Sequence, residues 1–251
     1  MLEIDHISKS FGGVKATDDV SLTCPTGSLT AVIGPNGAGK STFFNQISGA
    51  LRPDKGRILL DGVDLVGMKP GQIVRAGIGR AFQVASIFPT LTVEETLDAA
   101  VGADMGRAGS LARRFPLKET FARARHVLDM LGLADKRRRI ASTLSHGDQK
   151  LLDIALALVL EPKVLLLDEP TAGMGPEERW RMIEKVHELW AREKLTLVFI
   201  EHDMDIVFKI APRIVVLCYG RVLATGSPAE IRGNSAVIDA YLGTEHGGAA
   251  V

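Results

Sequence analysis

The chain has 251 residues, enough for one large α/β domain or two small ones and for a core that needs no disulfide staples. Lys plus Arg and Asp plus Glu balance at 30 each, so no global charge draws the chain to nucleic acid or to an anionic membrane. Hydrophobic residues at 46% and charged residues at 24% exclude a disordered polymer. The 26 glycines exceed the usual share of about 7% and point to tight turns or loops that approach a ligand.

Cys24 and Cys218 sit in apolar settings far apart in sequence, which predicts buried free thiols and a reducing compartment. The start, Met1-Leu2-Glu3-Ile4-Asp5-His6, lacks the basic leader and apolar core of a signal peptide. The most apolar stretch, Leu151 to Leu167, is broken by Asp153, Glu161, Pro162 and Lys163. It falls short of the ~18 apolar residues of a membrane span.

In chain order, 2–11 and 18–33 read as strands with turns at Gly12-Gly13, Pro25 and Gly27. A helix is predicted from Lys40 to about Ala50, a strand at 57–60, a short helix at 70–76 and a strand at 78–83. Between 85 and 160 helical patterns dominate, at 93–101, 119–131 and 146–160, with a Gly/Arg-bearing loop over 102–116. Strand and helix then alternate again: 164–167, 176–192, 195–200 and 203–210, with a hairpin at 213–218 and 221–225. This order predicts a mostly parallel, layered α/β sheet with a helical insertion. The tail from Gly243 is small and polar and reads as frayed.

Gly34-Pro35-Asn36-Gly37-Ala38-Gly39-Lys40-Ser41 fits G-x-x-x-x-G-K-[ST] between a predicted strand and a predicted helix, with Thr42 next. Glycines let backbone N–H groups close around phosphate oxygens, and the helix start adds its positive dipole. Lys40 can reach the β- and γ-phosphates, and the Ser41 hydroxyl can hold Mg²⁺. Further on, Val164-Leu165-Leu166-Leu167 runs into Asp168-Glu169. Two carboxylates at the carboxyl end of a buried strand suit a metal ligand (Asp168) and a base that polarises water (Glu169).

Leu144-Ser145-His146-Gly147-Asp148-Gln149, about 20 residues before Asp168, resembles the Leu-Ser-Gly-Gly-Gln signature of the ATP-binding cassette (ABC) ATPases. Phe11 resembles the adenine-stacking aromatic, though it could also cap a strand against the core. Gln83, after Arg80-Ala81-Phe82, resembles the Q-loop, and His202 the switch histidine. The resemblance spans residues 2–243. It implies a single ABC domain over 1–251: a RecA-like phosphate-loop core at about 1–84 and 161–243, with an antiparallel β subdomain, and a helical subdomain inserted at about 85–160. It also implies ATP and Mg²⁺ as cofactors, with Ser41, Gln83 and Asp168 at the metal and Lys40, Glu169 and His202 in turnover. The implied partners are a second ATPase, identical or paralogous and paired head to tail, permease subunits at the cytoplasmic face of the plasma membrane, and indirectly a substrate-binding protein; nucleic acid is not implied.

Ser145, His146, Gly147 and Asp148 would then face the partner's ATP. His146 and Asp148 depart from the family's Gly and Gln. A carboxylate at 148 would repel a γ-phosphate unless protonated or turned away. Gly175 stands where the family's D-loop carries Asp.

Ser10 to Ala16, Gly79 to Gln83, Ala172-Gly173-Met174 and Ala240 to Gly243 resemble the ATPases of branched-chain amino-acid and urea/amide importers. The lipopolysaccharide exporter's ATPase shares part of this texture. Soluble repair and translation ATPases differ in carrying a long coiled coil or two cassettes. The basic run Lys136 to Arg139 reads as a solvated turn, and Arg107, Arg113 and Arg114 as a basic loop near a membrane surface or membrane subunit.

Overall fold

The computed structural model describes residues 1–82, 85, 87–104 and 118–245. Strands β1 (Leu2–Phe11), β2 (Val14–Cys24) and β3 (Leu29–Ile33) lead into α1 (Lys40–Ile47), followed by β4 (Lys55–Leu60), β5 (Val63–Asp64) and α2 (Pro70–Ala76). Next come β6 (Ile78–Ala81), α3 (Val93–Asp104), α4 (Lys118–Leu131), α5 (His146–Leu158), β7 (Val164–Asp168) and α6 (Pro176–Glu193). The last elements are β8 (Thr196–Ile200), α7 (Met204–Ile210), β9 (Arg213–Cys218), β10 (Arg221–Gly226), α8 (Pro228–Arg232) and α9 (Ser235–Glu245). Met1–Ala76 and Thr196–Val251 make one compact unit, and Gly77–Leu195 makes a second.

In the first unit, β3 lies between β8 and β9 and runs parallel to both. All five residues of β3 are buried, as its unbroken Leu-Thr-Ala-Val-Ile run requires of a strand covered on both faces. Helix α1 buries Phe43, Phe44 and Ile47. A second, antiparallel sheet has the order β2-β1-β4-β5. There Leu2, Ile4 and Ile7 are buried while their neighbours are half-buried or exposed, the pattern of a sheet covered on one face. Arg221 of β10 donates to Asp18 of β2 at 2.6 Å and 2.9 Å and ties the two sheets of this unit. Arg221, and then Lys15, hold the Asp18 carboxyl below its usual range.

In the second unit, β6 and β7 pair in parallel from Ile78↔Val164 to Ala81↔Leu167. Helices α3, α4, α5 and α6 bring together apolar stripes with helical spacing. Val93, Leu97 and Val101 lie on α3, Ala124, Leu128 and Leu131 on α4, and Met182, Val186 and Leu189 on α6. Thr92 caps α3: its N–H and hydroxyl both donate to Glu95, whose own N–H returns a bond to the hydroxyl.

The turns expected at Pro25 and Gly27 separate β2 from β3, and β2 begins earlier than the expected 18. β2 starts at Val14, because Gly12-Gly13 is a two-residue turn that pairs Phe11 with Val14. Two short 3-10 turns, Ala134–Lys136 and Ala141–Thr143, precede α5. Helices α8 and α9 went unread in sequence, and α9 carries regular structure to Glu245, past the expected fraying at Gly243. Cys24 and Cys218 are free, and burial pushes the Cys24 thiol up to about 11. No helix among the described residues is long and apolar enough to cross a membrane.

Candidate functional site

The phosphate loop leaves the carboxyl end of β3. Gly34 and Gly39 both have positive φ, 152° and 99°. A Cβ at Gly34 would collide with the Leu217 carbonyl oxygen, and one at Gly39 with the Ala16 carbonyl oxygen. The backbone therefore passes so close to its neighbours that no side chain fits at either place. Gly220 N–H donates to the Ala38 carbonyl at 3.0 Å and pins the loop to the β9–β10 turn. Gly39 is the N-cap of α1 and offers no side-chain cap, which leaves the first-turn N–H groups to find acceptors elsewhere. Lys40 is buried. Its ammonium donates to the carbonyls of Gly34 at 2.7 Å and Pro35 at 3.0 Å. Phosphate oxygens are stronger partners for such an ammonium than neutral carbonyls are.

Phe11, at the end of β1, is 52% exposed, which removes the alternative that it caps the core. The Lys9 ammonium sits 5.8 Å from its ring centroid. Because Val32 pairs with Ile200 in parallel register, His202 follows from the same end of the adjacent strand as Gly34. His202 is exposed, and its N–H donates to the carboxylate of buried Glu201 at 3.1 Å.

In the second unit, Asp168 ends β7. Arg80 on β6 donates to its carboxylate at 2.8 Å, with the two side chains 8% and 10% exposed. The Arg80 guanidinium lies 4.8 Å from the ring centroid of Phe82. Glu169 follows with φ 49°, in the left-handed region that residues other than glycine uncommonly occupy. Strain of this kind collects where a side chain must be aimed. Two buried charges on α5 brace this end of the unit: Asp153 accepts from Phe82 N–H at 2.7 Å, and Lys150 reaches the carbonyls of Phe82 and Glu169 at 3.5 Å.

At the N-terminus of α5, Ser145 is the cap and its hydroxyl accepts from Asp148 N–H at 3.2 Å. The His146 ring Nε2 lies 3.2 Å from the Ala172 carbonyl. Gln149 turns back to donate to the carbonyls of Ser142 and Leu144 at 3.4 Å and 3.2 Å. Both oxygens of Asp148 accept from Lys136 at 2.8 Å.

Comparison with known proteins decides between the readings. The sequence model of the family described as ABC transporter matches residues 17–172, and that of the branched-chain amino acid ATP-binding cassette transporter matches 221–247. The chain belongs to the ABC transporter family. It is 40% identical over 249 residues to the high-affinity branched-chain amino acid transport ATP-binding protein LivG of Salmonella typhimurium, covering 97% of this chain and 98% of that protein. It is 36% identical to BraF of Pseudomonas aeruginosa over the same shares. Among solved structures it resembles an ATP-binding cassette of an ABC transporter in its ADP conformation. The TM-score is 0.84 and the identity 31%, over 97% of this chain and 98% of that one.

The described residues of this ABC cassette therefore bring Phe11, the loop Gly34 to Thr42 and His202 into one unit, and Asp168, Glu169 and Ser145 to Asp148 into the other. Gln83 and the arginines at 107, 113 and 114 lie outside the described residues. The basic run is not merely a solvated turn: Lys136 is tied to Asp148, and Arg139 donates to the Thr143 carbonyl at 2.7 Å, because both cations find acceptors at the entrance to α5. Sequence reasoning missed Arg80, Lys150 and Asp153 as bracing groups. The signal was present in the last two: charges three residues apart interrupt an apolar helical run, so they share one face and need buried partners.

Proposed function

We propose that the chain hydrolyses ATP to drive an importer of branched-chain amino acids. The observation that carries this reading is the full-length likeness to relatives named as branched-chain amino acid transport ATP-binding proteins. The phosphate loop and the Asp168-Glu169 strand end support it: the first opens a helix that no side chain caps, and the second sets two carboxylates at the end of a buried strand. In this reading the loop N–H groups and Lys40 bind the phosphates, and Phe11 stacks on adenine. The hydroxyl of Ser41 and the carboxylate of Asp168 are hard oxygen donors, a set that fits Mg²⁺; Gln83 would complete it. When bound, Mg²⁺ would neutralise charge on the phosphate oxygens. Glu169 takes the proton of the attacking water, and His202 senses the γ-phosphate.

The chain works as one of two ATPase subunits, head to tail, with Ser145 and Gly147 facing the partner's ATP. Permease subunits hold it at the cytoplasmic face of the plasma membrane. Two measurements test this together. The full-length chain should hydrolyse MgATP, and deleting its gene should abolish high-affinity uptake of leucine, isoleucine or valine, with Lys40→Ala failing to restore it. Uptake unchanged by the deletion would remove the cargo from the proposal, and absent hydrolysis would remove the reaction.

A further inference from the structure

Two helices of this chain begin with the same spelling, a serine cap with an acid three residues on, and they use the acid differently. In α8, Glu230 returns to its own cap and accepts from Ser227 N–H at 2.7 Å and from the Ser227 hydroxyl at 2.8 Å. In α5, Asp148 is one methylene shorter, and both its oxygens are held instead by Lys136 at 2.8 Å. Lys136 comes from the 3-10 turn Ala134–Lys136, twelve residues upstream. The pair is only partly accessible, with side-chain exposures of 28% and 17%.

The same corner holds a cavity of about 300 Å³, whose lining includes Ser145, Gly147, Asp148 and Lys136 together with Glu178, Arg181 and Lys185. Its charged groups are thus Lys136, Arg181 and Lys185 against Asp148 and Glu178. Arg181 is also shared with Glu177 at 3.5 Å. Without Lys136, two carboxylates would face the N-terminal turn of α5 and oppose the positive end of its dipole. With the lining then at two cations against two carboxylates, an anion approaching Ser145 and Gly147 would lose one attractive charge and meet the Asp148 carboxylate released from Lys136 at the turn itself.

We infer that Lys136 is a positioning residue for the signature turn: by holding Asp148 it cancels the carboxylate that stands where the family carries Gln, and so lets the turn receive the γ-phosphate of an ATP bound by a second ATPase subunit. This rests on the proposed pairing of subunits.

The test is a double-mutant cycle on the full-length chain, reading the MgATP dependence of turnover. Lys136→Met should raise KM for MgATP about tenfold, the size of one partly screened charge contact, with kcat within about twofold. Adding Asp148→Gln should return KM to within about twofold of the parent, and Lys136→Arg should stay near the parent. A loss that came only from a loosened turn would not be rescued by deleting the carboxylate. If Lys136→Met does not fold, the comparison moves to a background without the Asp148 carboxylate, where Asp148→Gln with and without Lys136→Met should give the same KM. An unchanged KM in Lys136→Met, a double variant as poor as the single one, or a KM that Lys136→Met raises in the Asp148→Gln background would each overturn the inference. A parent chain with no MgATP turnover at any protein concentration would instead overturn the proposed function, and the inference with it.

Discussion

The phosphate loop and the turn at Ser145 are both helix starts, and the proposed function has both face an anion, yet they are built by different means. The loop is a backbone device. Gly34 and Gly39 press against carbonyl oxygens of other segments, and Lys40 is folded onto two carbonyls of its own loop. The turn at Ser145 is a side-chain device, held by a serine cap, the Lys136–Asp148 pair, the contact of His146 with Ala172 and the inward amide of Gln149. A backbone device tolerates no substitution where it is tight. A side-chain device can be respelled, provided that a compensating residue arrives from elsewhere.

The largest expected effect tests the first half of that contrast. Lys40→Ala removes the cation and leaves the loop's carbonyls without it; turnover should fall by at least about a hundredfold, the scale for losing electrostatic stabilisation of a transition state. Gly39→Ala should be as damaging for a different reason, because the new methyl has backbone rather than flexible side chain in its way. A Gly39→Ala protein with the parent's melting temperature and nucleotide affinity would show that the loop yields, and the contrast would be lost.

Glu169→Gln is expected next. It keeps size and hydrogen bonding but removes the base, so turnover should drop about a hundredfold or more while ATP binding persists and paired subunits accumulate. Turnover like the parent's would take the base assignment away from Glu169. On the side of stability, Arg80→Met should cost about 3–5 kcal/mol, because it strands the Asp168 carboxylate in a site that is nearly closed to water. Denaturant midpoints measure this. A loss below about 1 kcal/mol would mean that the pair behaves like a surface contact.

This contrast also sets what could be read from sequence. The strands β3 and β7 and the loop between β3 and α1 were legible, because unbroken apolar runs and glycine spacing are local. The edges of β2, the short turns before α5 and the brace of Lys150 and Asp153 were less so, since their partners lie many residues away. Lys136 is the clearest case. Within Lys136-Arg137-Arg138-Arg139 nothing marks the first cation as different, and only the fold brings it to Asp148. Helices α8 and α9 were missed although Ser227-Pro228-Ala229-Glu230 carries a capping signature with proline at the first turn.

That overlooked cap allows the smallest and most discriminating comparison. Ser227 and Glu230 satisfy one another at an exposed helix start where no ligand role is proposed, so they report what a serine cap with an acid partner does alone. The Ser227 N–H and hydroxyl hold the Glu230 carboxyl below its ordinary value of 4.5. A depressed carboxyl pKa stabilises the fold above the unfolded value and loses that contribution as pH falls through the folded value. Glu230→Gln should therefore lower the melting temperature slightly at pH 7, and its deficit should vanish as pH drops well below 4.5. Ser145→Ala should cost about 1 kcal/mol of stability, as caps do, but it should also weaken MgATP-dependent pairing. If Ser227→Ala weakened pairing as much as Ser145→Ala, the effect at Ser145 would be helix fraying, and the signature turn would owe its role to stability rather than to the anion it faces.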